Sequence, residues 1–268
     1  MAGILSTHPA RRVIERCQGV SGELALVFVG RTHYEIVANG HFLMATYNRR
    51  SEQTLARLAL EALPPVLDAP PPVRPRIRVL IGGLGVGHTL RATLRDPRVL
   101  AVTVVELEPR IIHWNRLHFK GSAKALADGR VTLVQEDFFA HLRDTAASLP
   151  GSPAVDVHPA SPADGVYEVI LADTDNGPDW LVRPENHAIY GRRGLGAAFA
   201  VLAPGGVVAF WSSGPAEWFG QRLTAAGFAV SAQAVPGRKV IPPDVIYLGR
   251  KPRQPAPDGT GVKGAGDR

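Results

Sequence analysis

The alternation of apolar and polar positions divides the chain into two regions. Residues 23–48 contain three β-rich runs, which are separated by the turns Gly30-Arg31-Thr32 and Asn39-Gly40. Asn-Gly favours a two-residue hairpin turn because both positions tolerate positive φ. We therefore predict a small antiparallel β-meander, followed by a helix from about Ser51 to Leu63 whose apolar side chains share one face.

Strand-like and helical runs alternate from Arg76 onward. The strand-like runs read RIRVLIG, AVTVVEL, RVTLVQED, YEVILAD and VVAFWSS, with helical runs such as PRIIHWNRLHF and HAIYGRRGLGAAFAVLA among them. This alternation predicts a parallel sheet with right-handed crossovers and helices on both faces. The last runs, FAVSAQAV and VIYLGRK, predict an antiparallel pair at one edge. The predicted fold class is α/β, a mostly parallel sheet with an antiparallel edge pair, preceded by a small N-terminal β-hairpin domain.

Proline-rich stretches predict where these regions begin and end. Pro64-Pro65 and Pro70-Pro71-Pro72 form a stiff linker. We divide the chain into a meander with its linker helix (1–70), an α/β domain (71–251) and a tail (252–268). The tail is rich in proline and glycine and is predicted to be disordered. The segment SLPGSPAVDVHPASPADG has the composition of a surface loop.

Four glycines follow the first strand of the α/β domain. Gly82, Gly83, Gly85 and Gly87 lie between that strand and a helix beginning near His88. Glycine permits positive φ and lets a ligand approach the main chain without a Cβ in the way. Ligands of such sheets bind beyond the carboxyl ends of the strands. The spacing G-x-G-x-G, with a histidine where the dinucleotide fingerprint has its last glycine, favours a nucleoside ligand without a pyrophosphate.

Acidic residues end the next two strands. Glu106 is placed to accept hydrogen bonds from both ribose hydroxyls, and Asp137 to accept one from an adenine amino group. Leu107 and Phe138 follow them and are predicted to sandwich the base. Each residue alone is also explained as a turn, a solvated strand end or a helix N-cap. Together, at successive strand ends, they predict an adenosine site.

These segments resemble the spermidine synthase (polyamine aminopropyltransferase) family, which has a Rossmann-like, class I S-adenosylmethionine-binding fold. The similarity extends from about Glu23 to Lys251 and includes VLIGGLGVGHTLRATLRDPRVLAVTVVELEPRII, EDFFAHL, YEVILADTDNGP and LAPGGVVAFWSS. The resemblance implies that Glu106 binds the ribose and that Asp137 binds the adenine. It implies a donor, decarboxylated S-adenosylmethionine or S-adenosylmethionine, and a small-molecule amine acceptor, as in polyamine biosynthesis. No metal is expected.

The resemblance also implies an amine site after the fourth strand. Asp173 directly follows the buried run YEVILA and takes the role of catalytic base, since an attacking amine must lose a proton. Asp175 and Asp179 would bind the distal ammonium of a diamine, and Trp180 and Tyr190 would wall its polymethylene chain. The alternative for Asp173 is a turn-forming role within DTDNGP.

The amine site departs from the usual pattern of the family. The glycine loop holds Leu84 and Val86 and lacks the family's aspartate. Asp173 and Asp175 lie two residues apart rather than three, and RRSEQT replaces the tyrosine and acid that usually follow the hairpin domain. These differences leave the choice of donor and acceptor open.

Three functions are therefore compared. The first is aminopropyl transfer from decarboxylated S-adenosylmethionine to an amine. The second is methyl transfer from S-adenosylmethionine, whose carboxylate would be held by loop N–H groups or by Arg49 or Arg50. The third is binding of a nucleoside or polyamine without catalysis. The product of the reaction distinguishes them, since the first releases methylthioadenosine and the second S-adenosylhomocysteine.

Composition narrows the expected partners and compartment. The chain of 268 residues is 45% hydrophobic and 20% charged, which is typical of a soluble globular protein. No apolar run approaches the roughly 20 residues that span a bilayer, and the N-terminus has no long apolar segment of the secretory kind. We expect no membrane and, despite a net charge of +6 from scattered arginines, no nucleic acid as partner.

The single Cys17 indicates a reducing, cytoplasmic setting. A homodimer through the N-terminal hairpins is compatible with the sequence but not required by it.

Overall fold

The computed structural model describes residues 10–63, 76–149, 167–235 and 242–253, which form two β-sheets and the helices around them. The strands are β1 Arg11–Gly19, β2 Gly22–Val29, β3 His33–Ala38, β4 His41–Ala45, β5 Ile77–Gly82, β6 Val99–Val105, β7 Val131–Val134, β8 Tyr167–Ala172, β9 Leu202–Ser212, β10 Ala229–Ala234 and β11 Val245–Arg250. The helices are α1 Arg50–Glu61, α2 His88–Thr93, α3 Pro109–Leu117, α4 Lys120–Leu126, α5 Phe138–Ala147, α6 His187–Tyr190, α7 Arg192–Val201 and α8 Glu217–Ala225, with a 3₁₀ turn at Pro184–Asn186.

The N-terminal sheet is an antiparallel meander in the order β1-β2-β3-β4. Its last three strands confirm the predicted β-rich runs, and the turn between β3 and β4 contains Asn39 and Gly40 at φ 50° and 80°. The sequence analysis missed β1, because this edge strand is mostly polar and a β-bulge between Val13 and Glu15 interrupts its alternation.

The large sheet has the order β10-β11-β9-β8-β5-β6-β7. The five strands from β9 to β7 are parallel, and β11 runs antiparallel to both β9 and β10. The predicted fold class is thereby confirmed. Alternate residues of β5 face two separate apolar layers, with Val79 and Ile81 on one face and Leu80 on the other.

Helix α1 connects the N-terminal sheet to the large one. Leu55 and Ala59 of this helix are fully buried, and the helix packs against α2 and β9. This packing brings the first turn of α1 to the edge of the large sheet at which the parallel strands end. No helix in the described ranges is both long and apolar enough to cross a bilayer.

Two helical predictions differ from the structure. The run from His187 was predicted as one helix, but Gly191 has an extended backbone (φ −84°, ψ 171°) that separates α6 from α7, and β9 begins already at Leu202. A Cβ at Gly194 would lie 2.4 Å from the carbonyl oxygen of Ala188, so the break allows α7 to start close against α6. The short α4 was not predicted.

The proline linker and most of the predicted surface loop and tail lie outside the described residues, and the domain limits stay a prediction.

Candidate active site

A cavity opens at the carboxyl edge of the large sheet, facing the N-terminal part of the chain. One wall is formed by residues at the ends of β5, β6, β7, β8 and β9. The opposite wall is formed by residues of β2, β3, β4 and the first turn of α1. The cavity therefore lies where open α/β sheets bind their ligands, beyond the carboxyl ends of the strands.

The structure brings six of the eight predicted cofactor-binding residues to this cavity: Gly83, Gly85, Glu106, Leu107, Asp137 and Phe138. Gly83 and Gly85 have φ of +88° and +54°, and a Cβ at Gly83 would lie 2.3 Å from the carbonyl oxygen of Asp173. Gly82 and Gly87 were also predicted to bind the cofactor, but they are not among the residues that line the cavity. A Cβ at Gly82 would lie 2.6 Å from the ring of Phe138, and one at Gly87 would lie 2.1 Å from Oγ of Ser122. Both glycines therefore allow close packing at these positions, and a contact between either of them and a ligand stays a prediction.

Glu106 is buried and bound to the glycine loop. Its Oε2 accepts from the amide of Leu84 at 2.8 Å and its Oε1 from the amide of Glu108 at 2.8 Å. Burial raises the pKa of Glu106, and the same two amide donors oppose that change. Each carboxylate oxygen retains a second lone pair for a further donor. A fixed acceptor of this kind suits a vicinal diol, and the ribose role of Glu106 stays a prediction.

Asp137 makes two hydrogen bonds at the far end of the cavity. Its Oδ1 accepts from the amide of Ala140 at 2.9 Å and so caps α5. Its Oδ2 accepts from Nη1 of Arg183 at 2.7 Å. Sequence reasoning assigned Asp137 to adenine and missed Arg183, which comes from the loop after β8. That loop gave no local signal for the pairing, since the two residues are 46 positions apart.

Asp173 follows β8, lines the cavity and contacts α2. Its amide donates to the carbonyl oxygen of Gly82 at 2.9 Å, and its Oδ2 accepts from Oγ1 of Thr89 at 2.6 Å. Desolvation raises the pKa of Asp173 to about 6, against the opposing hydrogen bond from Thr89. A carboxylate with such a pKa is ionised at neutral pH and is a stronger proton acceptor than a solvated aspartate.

Asp175 lines the cavity, but its carboxylate organises its own loop. Oδ1 accepts from the amides of Asn176 and Val182 at 2.8 and 2.6 Å. Oδ2 accepts from the amide of Arg183 at 3.3 Å and from Nδ2 of Asn186 at 2.9 Å. These four donors explain its burial, and binding of a distal ammonium by Asp175 stays a prediction.

The other three predicted substrate-binding residues do not line the cavity. Asp179 accepts from Nε1 of Trp218 at 2.6 Å, and Trp180 is 61% exposed. Tyr190 is buried in the apolar layer on the opposite face of the sheet, where its ring packs edge-on against Phe219. The loop after β8 returns to the cavity farther along, since Val182, Arg183 and Asn186 line it. The placement of Asp179, Trp180 and Tyr190 corrects the sequence prediction.

The cavity is also lined by residues that the sequence analysis did not assign. Asn48, Ser51, Glu52, His88 and Trp211 all line the cavity. Of the segment RRSEQT, only Ser51 and Glu52 are among the lining residues; Arg49 and Arg50 are exposed. Those arginines are therefore not placed as ligands for a carboxylate inside the cavity.

Acidic side chains outnumber basic ones in the lining of the cavity. The acidic residues are Glu52, Glu106, Glu108, Asp137, Asp173 and Asp175. Among the described residues that line it, Arg183 is the one lysine or arginine, and it is paired with Asp137. This excess of carboxylates favours a positively charged ligand. The described ranges contain no group of three or more histidine, cysteine or acidic side chains placed to hold a metal ion.

Comparisons with known proteins agree with this fold. The family model described as spermine/spermidine synthase domain matches residues 55–174. Putrescine N-methyltransferase 3 of Nicotiana tabacum is 34% identical over 135 residues, 49% of this chain and 29% of that protein. Polyamine aminopropyltransferase of Bacillus mycoides is 28% identical over 116 residues, 37% of this chain and 41% of that protein. The chain thus matches less than half the length of either relative.

Solved structures show the same fold over most of the chain. The crystal structure of spermidine synthase from Thermotoga maritima aligns with a TM-score of 0.67 and 16% identity, covering 91% of this chain and 73% of that one. A spermidine synthase in complex with the transition state analogue AdoDATO aligns with a TM-score of 0.68 and 17% identity, covering 91% and 75%. The sequence match makes residues 55–174 similar to the spermine/spermidine synthase domain, and the solved structures show that the fold is shared over most of the chain.

Proposed function

We propose that this protein transfers an aminopropyl group from decarboxylated S-adenosylmethionine to an amine acceptor. The observation that carries the proposal is the excess of carboxylates around Asp173. The proposed donor bears two positive charges, a sulfonium and an ammonium, and lacks the carboxylate of S-adenosylmethionine. A cavity whose lining arginine is already paired with Asp137 is suited to such a donor and to a cationic amine.

The nucleoside half of the donor would occupy the side of the cavity nearest β6 and β7. Glu106 would accept from the ribose hydroxyls and Asp137 from the adenine amino group. Leu107 and Phe138 would contact the base. The sulfonium would then lie close to the bare main chain of Gly83, near the carboxylate of Asp173.

The reaction is a single displacement at carbon. The unprotonated amine nitrogen attacks the methylene carbon of the aminopropyl group next to sulfur, and a new C–N bond forms. The C–S bond breaks, its electron pair stays on sulfur, and neutral methylthioadenosine leaves. The proton lost by the amine passes to Asp173, whose pKa of about 6 leaves it ionised and available at neutral pH.

Methyl transfer is the second candidate function. It is favoured by the relatives named putrescine N-methyltransferase, which are 32–34% identical to this chain over 135 residues. Its donor, S-adenosylmethionine, carries a carboxylate that needs a cationic or N–H partner. Among the described lining residues the one arginine is committed to Asp137, and we therefore place methyl transfer second.

Product analysis tests the proposal. The purified protein is incubated with either donor and a panel of mono-, di- and polyamines, and the released thio-nucleoside is identified by chromatography. Methylthioadenosine release is expected with decarboxylated S-adenosylmethionine. Release of S-adenosylhomocysteine in its place would establish methyl transfer, and tight methylthioadenosine binding without turnover of either donor would indicate the non-enzymatic function.

A further inference from the structure

The turn between β1 and β2 is bound to the residue that precedes α3. Oε2 of Glu108 accepts from the amide of Val20 in that turn at 2.6 Å, across 88 positions of the sequence. Gly19 permits this close approach, since a Cβ there would lie 2.5 Å from the same Oε2. Glu108 is one of the residues that line the cavity. The contact therefore connects the N-terminal sheet to the large sheet at the candidate active site.

The same residue makes two further contacts. Oε1 of Glu108 accepts from the amide of Arg110 at 3.1 Å, so that Glu108 is the N-cap of α3. The amide of Glu108 donates to Oε1 of Glu106 at 2.8 Å. An N-cap requires only the first of these two contacts. Glu108 thus connects the β1–β2 turn, the start of α3 and the carboxylate that we propose binds the ribose.

The orientation of the Glu106 carboxylate depends on two amides from different parts of the chain. One belongs to Leu84 in the glycine loop and the other to Glu108, each at 2.8 Å. The position of the second amide depends on how residue 108 is held. Binding groups keep a productive geometry only when the surrounding hydrogen bonds hold them in it. A displacement of Glu108 would therefore change the geometry that Glu106 offers to a ribose diol.

The β1–β2 turn is itself held in place and borders the cavity. Nδ2 of Asn39 donates to the carbonyl oxygen of Ser21 at 3.1 Å, and its Oδ1 accepts from the amide of Glu23 at 2.9 Å. Both Ser21 and Asn39 line the cavity with Glu108. The turn is thus a supported part of the cavity wall, to which Glu108 is bound.

We infer that Glu108 is a positioning residue of the donor site, which holds Glu106 in its ribose-binding geometry by connecting it to the β1–β2 turn. This inference rests on the proposed function, through the ribose role of Glu106. The N-terminal sheet then contributes to the affinity for the nucleoside without supplying a group that takes part in the transfer.

A second set of contacts joins the same two elements away from the cavity. Oε2 of Glu15 accepts from Nε1 of Trp114 at 2.8 Å, and its Oε1 pairs with Arg110 at 3.4 Å. None of these three residues is among those that line the cavity. Glu15→Ala is therefore the matched control, because it weakens the packing of β1 against α3 and leaves the contact between Glu108 and Val20 in place.

Two variants break the contact between Glu108 and Val20 in different ways. Glu108→Asp retains a preferred N-cap residue for α3, but its carboxylate is one methylene shorter and does not reach Val20. Gly19→Ala retains Glu108 and its capping group, and its Cβ displaces the turn from Oε2. A circular dichroism melt reports whether each variant is folded.

Calorimetry with two nucleosides tests the inference. The ligands are methylthioadenosine and its 2′-deoxy analogue, which the unmodified protein should bind less tightly. Both Glu108→Asp and Gly19→Ala should raise the Kd for methylthioadenosine about fivefold, or about 1 kcal/mol, and should raise that for the analogue less. Glu15→Ala should lower the free energy of unfolding and leave both Kd values unchanged.

Three results would overturn the inference. The first is an unchanged Kd for methylthioadenosine in both Glu108→Asp and Gly19→Ala. The second is an equal rise for the two nucleosides, since Glu108 would then not act through the ribose. The third is a rise as large in Glu15→Ala, which would make the effect a general loosening of the two sheets.

A failure of the proposed function gives a different result, since nucleoside binding needs no turnover. If neither donor is consumed with any acceptor, the proposed function fails, and the same Kd values still decide the role of Glu108. If the protein is active, Glu108→Asp should raise the KM for the donor and leave kcat nearly unchanged. A fall in kcat with an unchanged KM would contradict a positioning role in the donor site.

Discussion

The hydroxyl of Thr89 donates a hydrogen bond of 2.6 Å to Oδ2 of Asp173, across 84 positions of the sequence. Thr89 lies on α2, and Asp173 lies beyond the end of β8. The contact stabilises the charged form of the carboxylate. Burial acts in the opposite direction and prevails, so the pKa of Asp173 is raised to about 6.

Removing the hydroxyl of Thr89 should move the pH dependence of the reaction. In Thr89→Val the pKa of Asp173 loses the interaction that opposes burial and rises further. A hydrogen bond to a charged group contributes about 1.5–3 kcal/mol, so the acid limb of kcat/KM for the donor should rise from near pH 6 by about one to two units. Thr93→Val, on the same helix, is the control, since Thr93 donates to the carbonyl of Thr89 instead. An unchanged acid limb in Thr89→Val would contradict this account.

Neutralising Asp173 should remove catalysis and leave nucleoside binding intact. Asp173→Asn keeps the shape of the side chain but cannot take the proton of the amine. We expect kcat to fall by about 10²–10⁴, with the Kd for methylthioadenosine changed by less than about twofold, measured by calorimetry. Asp179→Asn is the matched control, because Asp179 does not line the cavity. A joint loss of turnover and nucleoside affinity in Asp173→Asn would make Asp173 a scaffold residue.

Arg183 should affect the affinity for the donor rather than the chemical step. It holds Oδ2 of Asp137 at 2.7 Å, with both side chains largely shielded from solvent. Arg183→Gln should raise the KM for the donor about fivefold, or about 1 kcal/mol, with little change in kcat. Arg143→Gln is the control, since Arg143 pairs with Asp144 on the exposed surface. A fall in kcat without a change in KM would place Arg183 in the chemical step instead.

A methyl group at Gly83 should lower the free energy of unfolding and the turnover far more than a methyl group at another glycine of positive φ. Gly83→Ala places Cβ 2.3 Å from the carbonyl oxygen of Asp173, whereas Gly40 has φ +80° and open space around its Cβ position. Gly40→Ala should therefore cost only the backbone strain, about 1–2 kcal/mol. Gly83→Ala should cost at least about 2 kcal/mol more in urea unfolding and should abolish turnover. Equal costs for the two variants would show that the loop relaxes around Gly83.

The sheet and the residues at its strand ends were predictable because their signals are local. Four of the five apolar runs of the parallel sheet end at or next to a glycine or an acid, and parallel strands bring those ends to one edge. Gly83, Glu106, Asp137 and Asp173 therefore line one cavity as expected. The alternation of apolar runs was also sufficient for the fold class, because the central parallel strands β5, β8 and β9 are buried on both faces.

The contacts that tune the site were not predictable from the sequence. Thr89 and Arg183 reach Asp173 and Asp137 across 84 and 46 positions, and neither has a distinctive local pattern. Asp179, Trp180 and Tyr190 were expected at the cavity because they follow Asp173 closely in the sequence, but none of them is among the residues that line it. The polar edge strand β1 likewise gave no period-two pattern to recognise.

The nature of the transferred group tests the central claim most directly. Decarboxylated S-adenosylmethionine and S-adenosylmethionine are supplied together at equal concentration with an amine that the protein accepts, and the modified amine is identified by mass spectrometry. We predict a mass gain of one aminopropyl group, with methylthioadenosine as the released nucleoside. A gain of one methyl group, with S-adenosylhomocysteine released, would contradict the proposal that this carboxylate-rich cavity selects the dicationic donor.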